Sequence, residues 1–224
     1  MIKAVIFDFD GTVFDSEPLH FQAHQQALKA RFDLELDYAY YLQHYAGLSD
    51  PKALPKILAE HDIDISNIDL DELVRFKKSF YTKHVEGLIN IPSIAGLPEF
   101  LQWLKNRYPI AICSNSTRAE IHTSLAKIDQ GALQPHFETI VSADLVYAPK
   151  PSPEGYLFTA KKLGVKPEEC LVFEDSIPGI AAAKAAGMIA IAVLTTYSPE
   201  CLSEADMLIP DFIEAKQLPY FLHP

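Results

Sequence analysis

Two aspartates, Asp8 and Asp10, follow the first strongly apolar run of the chain and are separated by a single residue. Because successive residues of an extended strand point to opposite faces, the two carboxylates share a direction. Carboxylates held close together repel one another unless a cation lies between them or one of them holds a proton. A divalent cation that prefers oxygen ligands would resolve the repulsion, and Mg²⁺ is the ion we expect. A single aspartate here would be interpreted as a turn cap, so the pair is the informative feature.

Further polar side chains follow later apolar runs. Ser114 and Asn115 come after one run, Glu174 and Asp175 end another, and Lys150 stands between two prolines after a third. In an open α/β sheet, ligands bind beyond the carboxyl ends of the strands, so we expect these groups to meet. A metal ion, a lysine, hydroxyls and helix N-termini together suit a phosphoryl group. Of two neighbouring carboxylates, one can then act as nucleophile and the other as general acid and base.

The elements that must position these residues are short apolar runs that alternate with amphipathic segments. Runs without polar alternation are typical of strands buried on both faces of a parallel sheet. Alternating strands and helices predict a doubly wound, Rossmann-like α/β fold with helices on both faces of the sheet. The predicted strands are Ala4 to Phe9, Ile110 to Cys113, Thr139 to Val141, Cys170 to Phe173 and Ile189 to Leu194. The predicted helices between them are Pro98 to Lys105, Arg118 to Ile128, Pro153 to Leu163 and Pro178 to Ala186.

The stretch from 16 to 90 contains no strand-like run and is far longer than an ordinary crossover. It has enough apolar residues for a core of its own, so we interpret it as an inserted helical domain. The catalytic core would then comprise residues 1–15 and 91–224. Helical periodicity in the insertion covers Leu19 to Arg31, Tyr38 to Tyr45, Pro51 to His61 and Asp69 to Val85.

Composition excludes several classes of function. The chain has 224 residues, a net charge of −11 and 49% hydrophobic residues, which is typical of a globular protein. The acidic balance argues against nucleic-acid partners and against binding to anionic membranes. The sequence shows no signal peptide and no membrane span, and its three cysteines lack zinc-like spacing. We therefore expect a cytoplasmic protein, a monomer or a weak homodimer.

Four short motifs, in order along the chain, resemble those of the haloacid dehalogenase superfamily, in its phosphatase and β-phosphoglucomutase-like branch. Any one of them could arise by chance, but four in sequence at strand ends make the resemblance specific, and it covers nearly the whole chain. The motifs are Asp8-Phe9-Asp10-Gly11-Thr12, Ser114-Asn115-Ser116, Lys150-Pro151-Ser152-Pro153 and Phe173-Glu174-Asp175-Ser176.

The resemblance implies specific roles for these residues. Asp8 would be the nucleophile and Asp10 the general acid and base of a reaction through an aspartyl-phosphate. Mg²⁺ would be held by Asp8, the Asp10 carbonyl oxygen and Asp175, with support from Glu174.

The resemblance also implies how substrate is held. Ser114, Asn115 and Lys150 would bind the phosphoryl group, and the insertion would be a helical cap that closes over the substrate. His20, placed soon after the first motif, is a candidate substrate contact.

The choice of reaction depends on departures from the family's other branches. Dehalogenases lack the second carboxylate, so Asp10 argues against them. Phosphonate hydrolysis needs a cap lysine, and the candidates are better interpreted as solvated: Lys29, Lys52 and Lys56. A sugar phosphomutase would place an arginine where this chain has Asp50 and Pro51.

We therefore expect a phosphatase of a small sugar or polyol phosphate. The alternatives are a hexose-phosphate mutase and, less favoured, a catalytically silent protein that binds a phosphorylated metabolite.

Overall fold

Within residues 1–222, which the structure, a computed structural model, describes, six strands form one parallel sheet in the order β3-β2-β1-β4-β5-β6. The three central strands are wholly buried and apolar except for Glu174 at the end of one of them, as the uninterrupted runs predict. The predicted α/β fold with a parallel sheet is confirmed. The strands are β1 (Ala4–Phe7), β2 (Ile110–Cys113), β3 (Thr139–Val141), β4 (Cys170–Glu174), β5 (Ile189–Val193) and β6 (Met207–Ile209).

The chain divides into two compact units. Ser16–Leu88, here called the helical unit, interrupts in sequence the sheet unit, which comprises Met1–Asp15 and the chain from Ile89 onward. The helical unit has an apolar core of its own, with Leu28, Leu54 and Ile57 fully buried. Its role as a cap stays a prediction. Its helices are α1 (Glu17–Phe32), α2 (Tyr38–His44), α3 (Asp50–Glu60) and α4 (Leu70–Gly87).

The helices of the sheet unit begin at recognisable capping residues. Thr117 and Glu120 form a capping box at the start of α6, and the Ser176 side chain accepts from the Gly179 amide at the start of α8. These helices are α5 (Leu97–Leu104), α6 (Arg118–Leu125), α7 (Glu154–Leu163), α8 (Ile177–Ala185) and α9 (Pro219–Leu222). Short 3-10 helices lie at Asp129–Gly131, Gln134–His136, Ala143–Leu145, Pro167–Glu169 and Ala215–Gln217.

Both faces of the sheet are covered. On one face Ile6 and Val172 belong to a core that includes Tyr156 and Ala160 of α7 and Ile180 of α8. On the other face Phe7 stacks on Phe173 with ring centroids 5.1 Å apart, and Phe100 of α5 lies 6.3 Å from Phe7. Aromatic packing of this kind adds to the free energy gained from burial alone.

Some predicted boundaries were wrong, and one strand was missed. The first strand, predicted to reach Phe9, ends at Phe7. The helix predicted to reach Ile128 ends at Leu125, because Ile128 has an extended backbone and forms a parallel bridge with Ile91. The edge strand β6 was missed, since it is three residues long and Leu208 within it is exposed. In the described part of the chain, no helix combines the length and the apolar character needed to span a membrane.

Candidate active site

The loop that follows β1 presents the two aspartates differently. The Asp8 amide donates to the Phe173 carbonyl oxygen at 2.9 Å, which continues the pairing of β1 with β4 and leaves the Asp8 side chain buried. Gly11 then turns the chain with a φ of 75°, a conformation that favours glycine. Asp10 is half-buried, and its carboxylate accepts a hydrogen bond from the Ser116 hydroxyl at 2.6 Å.

Lys150 lies between carboxylates from two strands. Its ammonium donates to Asp8 Oδ1, to Glu174 Oε1 at 2.7 Å and to the Cys113 carbonyl oxygen at 2.9 Å. Burial would lower the pKa of this lysine, but the charges of Asp8 and Glu174 prevail and hold it well above its ordinary value. An ammonium has three protons, so each one is engaged and the group stays charged.

Glu174 is fully buried and accepts five hydrogen bonds. Its Oε1 receives Lys150 and the Tyr156 hydroxyl, the latter at 3.1 Å. Its Oε2 receives the Asp175 amide at 3.0 Å and both the amide and the hydroxyl of Ser176 at 2.9 Å. A carboxylate has about four lone-pair sites, so this side chain is held by its partners on both oxygens.

Asp175 completes a group of three carboxylates that suits a divalent cation. One oxygen each of Asp8, Glu174 and Asp175 lies within 4.8 Å of the others. Burial, with the charge of Glu174, raises the pKa of Asp175 well above its usual range. Burial also raises the pKa of Asp8 to about 8, although Lys150 acts in the opposite direction. A cation would relieve this concentration of negative charge, and oxygen donors are what a hard divalent ion requires.

The residues expected to bind phosphate sit in two adjoining loops. Ser114 is buried directly after β2, and its hydroxyl oxygen accepts from the Ser116 amide at 2.9 Å. Asn115 is exposed, and its side-chain oxygen accepts from the Lys150 amide at 3.0 Å. The structure therefore brings Ser114, Asn115 and Lys150 together, while their roles stay predictions.

Sequence reasoning missed several residues of this site. Ser116 was given no catalytic or binding role beyond its place in the second motif, but its hydroxyl bonds to Asp10. Thr12 and Thr196 donate to the Asp175 carboxylate, the former at 3.4 Å. Thr196 follows β5, so the rule that strand ends form the site could have found it.

His20, the candidate substrate contact, belongs to a buried polar network of the helical unit. Lys77 of α4 has a fully buried ammonium, 2.7 Å from Asp50 Oδ1 and 2.9 Å from His20 Nδ1. His24 Nε2 lies 3.2 Å from the same Asp50 oxygen. The role of His20 toward a substrate stays a prediction. The surface interpretation of Lys29, Lys52 and Lys56 agrees with their exposure.

The chain matches the model of the haloacid dehalogenase-like hydrolases over residues 2–187. It is 30% identical over 220 residues to validoxylamine A 7'-phosphate phosphatase of Streptomyces hygroscopicus subsp. limoneus, which covers 96% of this chain and 97% of that protein. It is 32% identical over 191 residues to fructose-1-phosphate phosphatase YqaB of Escherichia coli K12, which covers 84% of this chain and 95% of that protein.

A solved structure resembles the present one over nearly its full length. The β-phosphoglucomutase of Clostridium difficile superposes with a TM-score of 0.79 at 25% identity, covering 98% of this chain and 97% of that one. Proteins similar to this chain thus include both phosphatases and a mutase.

Proposed function

We propose that this chain, which belongs to the haloacid dehalogenase-like hydrolases, is a Mg²⁺-dependent phosphatase of a small sugar or polyol phosphate. The observation that carries this proposal is the buried Asp8 carboxylate, held against the Lys150 ammonium beside two further carboxylates. By their names, the relatives given above are phosphatases of validoxylamine A 7'-phosphate and of fructose 1-phosphate, which supports a phosphorylated small metabolite as substrate.

The proposed reaction has two steps. An Asp8 oxygen attacks phosphorus and forms an aspartyl-phosphate, while the bond from phosphorus to the ester oxygen breaks and Asp10 gives its proton to the leaving alkoxide. A water molecule then attacks the same phosphorus, Asp10 takes its proton, and the bond to Asp8 breaks. The products are an alcohol and inorganic phosphate, with both aspartates restored.

Separate surroundings suit the two aspartates to separate roles. Asp8 is fixed by Lys150 and the sheet, as a nucleophile must be. Asp10 lies in the loop beyond the strand, half-buried and bonded to the Ser116 hydroxyl, where it can exchange protons with substrate and water.

The metal proposal rests on the fit of the three carboxylates. Asp8 and Asp175, with the Asp10 carbonyl oxygen, would hold Mg²⁺, and Glu174 would support them. Mg²⁺ would supply positive charge that stabilises the phosphoryl oxygens as charge develops on them. Lys150, Ser114 and Asn115 would bind the remaining phosphoryl oxygens, since an ammonium and polar side chains are suitable donors.

A sugar phosphomutase is the second candidate, and the similarity to the β-phosphoglucomutase favours it. The residue at position 50, Asp50, argues against a mutase. This residue stands where a sugar mutase is expected to have an arginine, and its carboxylate is engaged by Lys77. A silent binding protein is less well supported, because binding alone would need neither a nucleophile nor a separate acid.

The decisive experiment is a panel of phosphorylated metabolites assayed for phosphate release with and without Mg²⁺, including fructose 1-phosphate and polyol phosphates. We expect release from at least one sugar or polyol phosphate, and its reversible loss in EDTA. No release from any ester would contradict the proposal, and full activity in EDTA would contradict its metal.

A second assay separates phosphatase from mutase. The protein is incubated with glucose 1-phosphate isomers and a catalytic amount of a sugar bisphosphate. Inorganic phosphate is the expected product. Accumulation of glucose 6-phosphate without phosphate release would instead establish the mutase.

The proposed setting is the cytoplasm, with the protein a monomer or a weak homodimer. Fractionation of the source cells tests the location. Light scattering after size-exclusion chromatography tests the oligomeric state, and a stable higher oligomer would contradict the proposal.

A further inference from the structure

Tyr156 of α7 is fully buried next to the active-site residues, yet the proposed chemistry gives it no part. Its ring belongs to the apolar core, while its hydroxyl contacts a charged group. Tyrosine buried in a core usually needs a partner for its hydroxyl, and here the partner is the carboxylate of Glu174, 3.1 Å away. The side chain therefore joins the apolar core beneath the sheet to the charged groups at the strand ends.

The same side chain contacts Lys150 through its ring. The Lys150 ammonium lies 4.9 Å from the centroid of the Tyr156 ring, within the range of a cation–π interaction. Tyr156 thus contacts both members of the Lys150–Glu174 ion pair, the lysine by the ring and the glutamate by the hydroxyl.

The hydrogen bonds show what this double contact does. Glu174 Oε1 accepts from Lys150 and from Tyr156, while Oε2 is occupied by the Asp175 and Ser176 groups. The two donors on Oε1 fix the direction of this oxygen. Without the Tyr156 hydroxyl, Oε1 would keep a single donor inside a buried site, where an unmade hydrogen bond is costly. The direction of Oε1 would then be set by Lys150 alone, so the position of the ammonium would be less closely fixed.

We propose that Tyr156 is a positioning residue, which fixes Glu174 Oε1 and thereby holds the Lys150 ammonium in place to bind a phosphoryl group. The inference rests on the proposed phosphatase function. It concerns the phosphate-binding lysine: Tyr156 bonds to Glu174, which would support the metal, and has no hydrogen bond to Asp8 or Asp175 among those described in residues 1–222.

The test is the variant Tyr156→Phe, which keeps the ring and removes only the hydroxyl. Binding of inorganic phosphate in saturating Mg²⁺ is measured by calorimetry, and Mg²⁺ binding by the shift in the thermal unfolding midpoint. We expect the Kd of phosphate to rise roughly fivefold, as for the loss of one net hydrogen bond, with kcat for p-nitrophenyl phosphate reduced. We expect the Mg²⁺ concentration at half-saturation to change by less than about twofold, because Tyr156 has no hydrogen bond to Asp8 or Asp175 among those described and Glu174 keeps its four other hydrogen bonds.

Tyr45→Phe provides a matched control. The Tyr45 hydroxyl also donates to a glutamate, Glu60, and the Tyr45 side chain is buried, but Glu60 is exposed and belongs to the helical unit. Tyr45→Phe should lower the unfolding midpoint less, because water can hydrate Glu60, and only Tyr156→Phe should weaken phosphate binding. Tyr156→Leu, which removes the ring as well, should weaken phosphate binding further.

Three outcomes would overturn the proposal. Phosphate affinity of Tyr156→Phe equal to that of the wild type contradicts it while leaving the phosphatase intact. Equal weakening in Tyr45→Phe shows a general effect of lost stability and also contradicts it. A wild-type protein that neither binds phosphate nor releases it from any ester overturns both the phosphatase and the inference that depends on it.

Discussion

Asp8 and Asp10 are separated by one residue, but the structure gives them different neighbours. Asp8 is buried against Lys150 and next to the Glu174 carboxylate, whereas Asp10 is half-buried and bonded to a serine hydroxyl. A carboxylate that is fixed and poorly hydrated suits attack on phosphorus, and one in a looser setting suits proton transfer. The two residues therefore allow separate predictions.

Asp8→Asn should reduce hydrolysis of p-nitrophenyl phosphate in Mg²⁺ to below detection. The amide has nearly the same shape as the carboxylate but cannot act as a nucleophile toward phosphorus, so the fold should survive while turnover is lost. Steady-state rates and circular dichroism check both parts. Asp33→Asn, at an exposed position of the helical unit, is the matched control and should leave activity unchanged. Retained turnover in Asp8→Asn would rule out this nucleophile.

Asp10→Asn should harm alkyl phosphates more than aryl phosphates. An alkoxide is a poor leaving group and needs a proton as it departs, whereas p-nitrophenolate leaves without one. The ratio of kcat/KM between p-nitrophenyl phosphate and a sugar phosphate is the relevant measurement, and we expect it to rise at least tenfold. An equal loss on both substrates would mean that Asp10 is not the acid.

At the scale of elements, the first turn of α8 approaches the Glu174 side chain very closely. A Cβ atom on Gly179 would lie 1.6 Å from Glu174 Oε1 and 1.8 Å from its Cδ. The carboxylate cannot move aside cheaply, because it is fully buried and held by five hydrogen bonds. The helix α8 and the Glu174 carboxylate can therefore lie this close together only because residue 179 has no side chain.

Gly179→Ala should therefore reduce activity at least tenfold and lower the thermal unfolding midpoint by several degrees, since overpacking typically costs about 1–3 kcal/mol. Gly87→Ala is the matched control, because a Cβ there meets nothing within 4 Å. Activity assays and thermal unfolding of both variants decide the matter. If Gly179→Ala behaves like Gly87→Ala, Glu174 is not held as described.

The sequence predicted the strands that have long apolar runs. It did not predict elements that depend on contacts with residues distant in the chain. Strands were evident at 110–113 and 170–173 because uninterrupted apolar runs leave few alternatives to a buried strand. β6 was missed because a run of three residues is too short to predict a strand, and its pairing with β5 is evident only in the structure. Strand ends also predicted Asp8, Lys150 and Asp175 as neighbours of one another, which is a consequence of topology.

Buried polar side chains lay beyond what the sequence could show. Lys77 has the type and spacing of a surface residue on an amphipathic helix, and only the positions of Asp50 and His20 explain its burial. Tyr156 likewise is expected from the sequence to be a core aromatic residue, and the structure shows that its hydroxyl donates to Glu174. In both cases the burial of a polar group is explained by partners distant in the sequence. The hydrophobic periodicity of a helix does not predict such partners.

At the scale of the whole molecule, each unit has its own apolar core and its own buried charges. The sheet unit surrounds Lys150 with carboxylates, and the helical unit surrounds Lys77 with Asp50 and two histidines. Burying such groups makes the stability of each unit depend on pH, because folding changes the affinity of the groups for protons. His24 gives the clearest case.

Protonation of His24 should destabilise the wild-type protein as the pH is lowered from 7.5 to 5. Burial and the nearby charge of Lys77 lower the pKa of His24 to about 4, below its usual 6.5, although Asp50 acts in the opposite direction. A group whose pKa is depressed by folding contributes its stability above the unfolded value and loses it as the pH falls toward the folded value. For His24 this amounts to about 2 kcal/mol between pH 7.5 and 5.

His24→Gln, measured by urea unfolding at the two pH values, should lack this destabilisation, so its change in stability on acidification should differ from that of the wild type by about 2 kcal/mol in favour of the variant. Carboxyl groups whose pKa is raised mainly by burial contribute with the opposite sign, namely those of Asp8, Asp175 and Glu17. Asp50, whose pKa lies well below its usual value, changes little above pH 5. These residues remain in the variant, so the difference isolates His24. His61→Gln, at an exposed position, should behave like the wild type. An identical change in all three proteins would refute the prediction.

The central position of β1 has a consequence for how the protein is made. β1 occupies residues 4–7, yet its two neighbours are β2 at 110–113 and β4 at 170–174. During synthesis at roughly 5–20 residues per second, the strand waits on the order of ten seconds or more for its second partner. The helical unit, whose core is contributed by a continuous stretch of chain, can fold during that interval. The strand that precedes Asp8 therefore emerges from the ribosome before both of its neighbours, and its pairing is complete only after β4 has emerged.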